Sequence, residues 1–247
     1  MSNRTIAVLP ARYASSRFPG KPLAMICGKP MIQWAYESTS RCAELDDVIV
    51  ATDDQRILDA VHAFGGKAVM TSEKHHTGTD RIAEAIQSDP ADLIINAQGD
   101  EPLMSPAVLS KLIHLMRQTG VEMGTAAVPF QVTGRDPDDP NAVKVVVDRN
   151  SMALYFSRSL IPFPRVGGVP VEPLLHWGLY AYRREFLEQF VKWPLGILEN
   201  CEKLEQLRAL ENGAKICVLV TSEQSVGVDQ PEDIARVEEL IHERGLA

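Results

Sequence analysis

The sequence predicts an α/β fold of Rossmann-like kind, a doubly wound and mostly parallel sheet with helices on both faces. Three observations support this. Short apolar runs of strand character alternate with helix-period segments through the first half of the chain. The polar segments that carry charged chemistry fall directly after those runs, where such sheets bind ligands. The chain has 247 residues, 45% of them hydrophobic, which is enough for one α/β core with an elaboration.

The elements follow in order. Residues 5-TIAVL-9 read as a buried strand, and 31-MIQWAYESTS-40 as a helix with Met31, Ile32, Trp34, Ala35 and Ser38 on one side. A second strand, 48-VIVAT-52, leads to Asp53 or Asp54 as cap of a helix whose inner face is Ile57, Leu58, Val61 and Phe64. Gly65-Gly66 ends that helix. Residues 67-KAVMT-71 form a third strand, a helix runs from about Asp80 to Gln87, and 92-DLIINAQ-98 is a fourth strand. Ser105 as cap and Pro106 in the first turn start a helix that turns Val108, Leu109, Leu112, Ile113 and Met116 inward. After Gly120 the pattern changes. Strands are expected at 123-MGTAAVPF-130, 142-AVKVVVD-148 and 174-LLHWGLYAYRR-184, with a polar, proline-rich loop at 134-GRDPDDPN-141 and a turn at 166-VGGVP-170. The periodicity of 151-SMALYFSRSLIPFP-164 fits either type. Helices are expected at 184–193 and 198–213, a strand at 215-KICVLV-220, and a capped helix from about Pro231. There is no internal repeat and no linker, so residues 1–247 read as one domain, with about 131–183 inserted as an arm.

The net charge of −8 argues against a general nucleic-acid binder. No apolar run is long enough to span a bilayer, and MSNRTIAVLP lacks a signal-peptide h-region. Cys27, Cys42, Cys201 and Cys217 show no paired spacing, so a reduced, cytoplasmic protein is expected.

Against that acidic background, 9-LPARYASSRFPGKPL-23 places Arg12, Arg17 and Lys21 just after the first strand. Arginine offers planar bidentate donors and lysine a point charge, a combination suited to a polyphosphate. Gly20 and Ser15-Ser16 let the backbone turn and add donors. The glycine fingerprints of dinucleotide enzymes and of P-loop NTPases are both missing. After the fourth strand, 98-QGDEP-102 supplies Asp100, a strand-end carboxylate able to hold Mg²⁺ beside phosphates. Asp229, in 226-VGVDQPED-233, is either a second metal carboxylate or a helix cap. In 75-HHTGTDR-81 the adjacent histidines are poorly placed to share a zinc ion, and Gly78-Thr79 at a helix start offers backbone donors to a base or phosphate. Arg81 lies in the first turn, facing either the site or solvent. Farther on, 155-YFSR-158 and 176-HWGLYAY-182 mix aromatics with Arg158, His176 and Tyr180, and alternation puts His176, Gly178, Tyr180 and Tyr182 on one face. Taken alone, these fit a second-substrate site or a half-buried sheet equally. Glu205 and Gln206 fall off the apolar stripe of their helix and read as surface residues.

Together, PARYASSRFPGKPL, VATDD, HTGTDR, QGDEP, AVKVV, ALYFSR, HWGLYAY, LEQLRAL and GVDQPED resemble the 3-deoxy-manno-octulosonate (Kdo) cytidylyltransferases over residues 9 to about 237. The resemblance implies a nucleotide-diphospho-sugar transferase type of fold and the reaction CTP + Kdo → CMP-Kdo + pyrophosphate, supplying lipopolysaccharide synthesis in a Gram-negative-type bacterium. It implies that Arg12, Arg17 and Lys21 hold the CTP phosphates, with Arg81, Gln98 and backbone near Pro10 and Ala11 around the cytidine. It further implies that Asp100 and Asp229 carry Mg²⁺, that Arg158, His176, Tyr180, Glu205 and Gln206 line the site of an eight-carbon acidic sugar, and that the arm makes a homodimer. Residues 194–213 are similar in part to chains that activate 8-amino-3,8-dideoxy-manno-octulosonate, whereas QGDEP favours Kdo; the alternative of another class is a non-catalytic nucleotide-binding protein on the same fold.

Overall fold

The computed structural model describes residues 3–14, 18–169, 171–223 and 226–246. The chain divides into two compact units, 1–110 with 225–247 and 111–224. The expected arm, 131–183, falls inside the second.

The first unit opens with β1 (Thr5–Ala11), whose TIAVLPA run is buried at all but one position. A short hairpin, β2 (Met25–Ile26) and β3 (Lys29–Pro30), precedes α1 (Met31–Ser40). Then come β4 (Asp47–Thr52), α2 (Gln55–Ala63), β5 (Ala68–Met70), α3 (Gly78–Ala85) and β6 (Leu93–Asn96). Here β1 pairs in parallel with β6 on one side and β4 on the other, and β4 pairs in parallel with β5. The register matches Ala11 with Thr52 and Val8 with Asn96, so the segments leaving β1, β4 and β6 emerge at one end of the sheet. Sheets of this kind bind ligands at that end. Asp54 caps α2, its carboxylate accepting the Arg56 N–H at 2.9 Å, which leaves Asp53 for another role.

The last stretch of the chain returns to the first unit. Val228, Val237 and Ile241 pack into one buried cluster with Ile26, Met31, Trp34 and Leu103. The second and third belong to α8 (Asp233–Glu243). Burying these apolar side chains fixes the position of the Val226–Asp229 segment. The Val228 N–H donates to the Asp100 carbonyl at 2.9 Å, so two motifs over a hundred positions apart run side by side.

The boundary between the units falls within α4 (Pro106–Thr119), where the Ser105 hydroxyl accepts the Val108 N–H. The second unit holds β7 (Met123–Pro129), β8 (Lys144–Val147), β9 (Ala153–Ser157), β10 (Leu174–Arg183), α5 (Arg184–Phe190), α6 (Ile197–Glu202), α7 (Gln206–Glu211) and β11 (Ile216–Val220). Its strands run β11, β7, β10, β8, β9, with β11 parallel to β7 and the rest antiparallel. Among the described residues no helix is long and apolar enough to cross a membrane.

The structure departs from the sequence reading at 198–213 and at 25–30. The single helix expected at 198–213 is split into α6 and α7, because Lys203 takes a left-handed conformation (φ 54°). The break is held by a buried ion pair across it, with Arg208 donating to both Glu199 oxygens at 2.7 and 2.6 Å. The ambiguous stretch 151–164 contributes the strand β9. The hairpin β2–β3 was not expected at all, since two-residue strands leave no periodicity to read.

Candidate functional site

The end of β1 carries Pro10, Ala11 and then Arg12. The loop after it closes on itself, with the Gly20 N–H donating to the Tyr13 carbonyl at 2.9 Å. Gly20 has φ +71°, which glycine adopts without strain, and it delivers the chain into a single 3₁₀ turn starting at Lys21. Lys21 reaches across the end of the sheet, its Nζ lying 2.6 Å from Asp100 Oδ2 and 2.9 Å from the Val228 carbonyl. A Cβ on Gly99 would sit 3.0 Å from the Pro10 carbonyl, so only glycine lets the 98–100 loop lie this close to β1. Arg17 lies outside the described residues.

From the other side, α3 starts at the same place. The Thr77 hydroxyl accepts the Asp80 N–H and the Asp80 carboxylate accepts the Thr77 N–H, a reciprocal cap that fixes the helix start. Arg81 does not face solvent. It is 3% exposed and donates to Asp53 Oδ2 and Thr71 Oγ1, each at 2.5 Å, tying the segments after β4 and β5 together. Nearby, the His75 imidazole pairs with Glu84, whose carboxylate also accepts the Ser72 N–H. That backbone donor, then His75, holds Glu84 below the usual carboxylate range.

These parts enclose a cavity of about 240 Å³. Its lining includes Pro10, Ala11, Arg12, Lys21, Arg81, Gln98 and Asp100, together with His75, Thr77 and Gly78. Asp229 follows Val228 as an exposed residue whose N–H donates to the Asp233 carboxylate at 2.7 Å, and the N-cap of α8 is Glu232, so Asp229 is not the helix cap. Among the described residues no group of three or more His, Cys, Asp and Glu side chains is arranged to hold a metal. The residues on offer are Asp100 and Asp229, on adjoining segments.

The second unit gathers a separate cluster. The His176 ring lies edge-on to Phe156, 4.9 Å between centroids, and 5.4 Å from Tyr180. Its Nε2 is 3.0 Å from Thr125 Oγ1. Burial lowers the His176 pKa to about 3, so the ring is neutral at ordinary pH. The alternation expected along β10 is interrupted between Trp177 and Tyr180, yet His176 and Tyr180 stay on one face because two residues are inserted. The Tyr180 hydroxyl donates to Gln206 Oε1 at 3.2 Å, and burial, before other causes, raises its pKa well above the ordinary value. Gln206 is 3% exposed, not the surface residue its helical position suggested, and its Nε2 is buried with no hydrogen-bond partner among the described residues. Glu205 stands next to it as the cap of α7. Arg158 donates to the carbonyls of Glu202 at 2.7 Å, Pro140 at 2.9 Å and Lys203 at 3.4 Å, closing the end of α6.

Sequence reasoning missed Asp53 as the partner of Arg81, and it weighed His75 only as a metal ligand. Neither pairing follows a helix or strand period, so no sequence signal marks it. Gln206 is misread for the same reason that the helix break is: the apolar stripe Leu198, Cys201, Leu204, Leu207 and Leu210 continues past Lys203.

Comparison with known proteins adds a family. The family described as Cytidylyltransferase matches residues 6–216. A 3-deoxy-manno-octulosonate cytidylyltransferase of Syntrophotalea carbinolica is 52% identical, covering 97% of this chain and 98% of its own. An 8-amino-3,8-dideoxy-manno-octulosonate cytidylyltransferase of Shewanella piezotolerans is also 52% identical, over 92% of this chain and 94% of its own. A solved CMP:2-keto-3-deoxy-manno-octonic acid synthetase complexed with CTP superposes with a TM-score of 0.92 at 42% identity, covering 98% of this chain and 99% of that one.

Proposed function

The chain belongs to the cytidylyltransferase family, and we propose that it activates Kdo by the reaction CTP + Kdo → CMP-Kdo + pyrophosphate, for lipopolysaccharide synthesis. The observation that carries this reading is the cavity that gathers Arg12, Lys21, Arg81, Gln98 and Asp100 at the strand ends. The anomeric hydroxyl of the sugar attacks the α-phosphorus of CTP and pyrophosphate leaves in line. Such a transfer needs positioning and charge neutralisation rather than a covalent intermediate on the protein.

Arg12, Arg17 and Lys21 hold the triphosphate, and Lys21 balances charge as pyrophosphate departs. Arg81, already clamped by Asp53 and Thr71, presents a fixed wall to the cytidine, with Gln98 and the backbone of Pro10 and Ala11. Asp100 and Asp229 would hold Mg²⁺. The fit rests on this site already accommodating a cation, since the Lys21 ammonium lies between a carboxylate and a carbonyl there. Mg²⁺ bound there would supply Lewis-acid chemistry to the transfer. His176, neutral and half-buried, serves the sugar as a hydrogen-bonding group and not as a carrier of charge. Tyr180, Gln206, Glu205 and Arg158 complete the sugar site.

The same reaction on the 8-amino sugar is the second reading, favoured by the Shewanella relative's equal identity. A cytoplasmic homodimer also belongs to the proposal. It is supported by large apolar side chains in the mid-chain arm that lie open, with Phe163 82%, Val166 100% and Val169 88% exposed. Pyrophosphate release from CTP and Kdo with Mg²⁺ tests the chemistry. Asp100→Ala is expected to abolish most of the activity, and undiminished turnover would remove Asp100 from the metal site. Light scattering tests the dimer, and a monomer at working concentration would refute it.

A further inference from the structure

The loop that bears the cations has a neck, and the neck has a buttress. Arg12 immediately precedes Tyr13, and Lys21 immediately follows Gly20, so the Tyr13–Gly20 pairing fixes how far apart the two cations start. The pairing has two parts. The Gly20 N–H donates to the Tyr13 carbonyl at 2.9 Å, and the Tyr13 ring lies over Gly20, 3.1 Å from where a Cβ would stand. Neither part is in the protein core. What backs the ring is Arg56, from the first turn of α2, with its guanidinium carbon 3.3 Å from the ring centroid. The guanidinium is itself oriented. Its Nε and Nη2 donate to the two oxygens of Asp54 at 2.9 and 2.6 Å, and Asp54 is anchored as the cap of α2.

A cation stacked on an aromatic face is attracted by the ring, and an arginine held in a fork keeps its plane at little further entropic cost. We propose that Arg56 is a positioning residue for the nucleotide. It fixes Tyr13, and through the Tyr13–Gly20 neck it sets Arg12 and Lys21 for the triphosphate. This rests on the reading that those two cations bind phosphate. Nothing in α2's own fold requires the stack, because the helix cap is made by the Asp54 carboxylate and the Arg56 backbone N–H alone.

The test is steady-state kinetics on the full-length protein, varying CTP and sugar separately. Arg56→Ala is expected to raise the KM for CTP about fivefold, leaving the KM for the sugar and the thermal midpoint near wild type. Arg56→Lys, which keeps the charge but loses the fork, is expected to fall between. Tyr13→Phe, which keeps the ring, should behave as wild type, while Tyr13→Ala should match Arg56→Ala, and the two should not add in the double variant. Lys21→Ala is the control. If it raises the CTP KM while Arg56→Ala leaves it within twofold, the buttress is wrong and the phosphate reading stands. If Lys21→Ala itself leaves the CTP KM unchanged, the phosphate reading fails and the buttress with it. Equal loss for CTP and sugar in Arg56→Ala would also overturn the proposal. Should Tyr13→Ala fail to fold, the two Arg56 variants and Tyr13→Phe carry the test.

Discussion

Replacing Lys21 by methionine should make the protein bind a divalent metal more tightly in the absence of nucleotide. The Lys21 ammonium lies 2.6 Å from Asp100 Oδ2 and 2.9 Å from the Val228 carbonyl. On the proposed reading a metal must displace it to reach Asp100. At that separation two unit charges attract by about 1.6 kcal/mol in bulk water and by about 6 kcal/mol at an effective dielectric of 20. The Lys21 side chain is 14% exposed but that of Asp100 is 38% exposed, so screening pulls the net value toward the lower figure. A net of about 1.4 kcal/mol corresponds to about tenfold in affinity. Methionine keeps the length of the side chain and removes the charge. The assay is titration with Mn²⁺ followed by electron paramagnetic resonance, with CTP absent. The dissociation constant of Lys21→Met should fall about tenfold below wild type, and Asp100→Asn should weaken binding in either background. Unchanged or weaker binding by Lys21→Met would refute the idea that lysine and metal compete for one carboxylate.

Three further outcomes follow from the geometry. Glu199→Gln leaves the Arg208 guanidinium buried beside a neutral amide, so unfolding in urea should show a loss of about 3 kcal/mol, and a loss below about 1 kcal/mol would mean the pair does not hold the α6–α7 break. His176 has an ordinary pKa of 6.5, and burial lowers it to about 3 in the folded protein. The folded state therefore resists protonation that the unfolded chain accepts, so this contribution to stability is full above pH 6.5 and is lost as pH falls toward 3. His176→Gln should flatten that part of the stability profile, and an unaltered profile would contradict the burial argument. Gly99→Ala places a methyl 3.0 Å from the Pro10 carbonyl and 3.3 Å from Ile32 Cδ1, so the Asp100 loop must shift. Its kcat/KM for CTP should drop by about tenfold or more, and a wild-type value would show that the close approach is not needed.

The parallel half of the fold was plain in the sequence because its strands are buried on both faces and read as unbroken apolar runs: 6-IAVL-9, 48-VIVA-51 and 93-LII-95. The cation loop and QGDEP were also readable, since their place just after strands follows from the alternation. What joins them was not readable. Lys21 meets Asp100 because Val228 pairs with the Asp100 backbone, and that depends on α8 packing beside Trp34 and Ile26. Likewise Arg81 finds Asp53 only because β4 and β5 lie side by side. The residues proposed for the sugar site were legible only through resemblance. The burial of Gln206 comes from the left-handed Lys203, a conformation that no pattern of lysine, leucine and glutamate announces.

The account is tested most directly by supplying CTP and Mg²⁺ with Kdo or with its 8-amino analogue, measuring pyrophosphate release and identifying the nucleotide product by mass spectrometry. It predicts CMP-Kdo, formed with a higher kcat/KM than the 8-amino product. No pyrophosphate from either sugar, or preference for the 8-amino sugar, would contradict it.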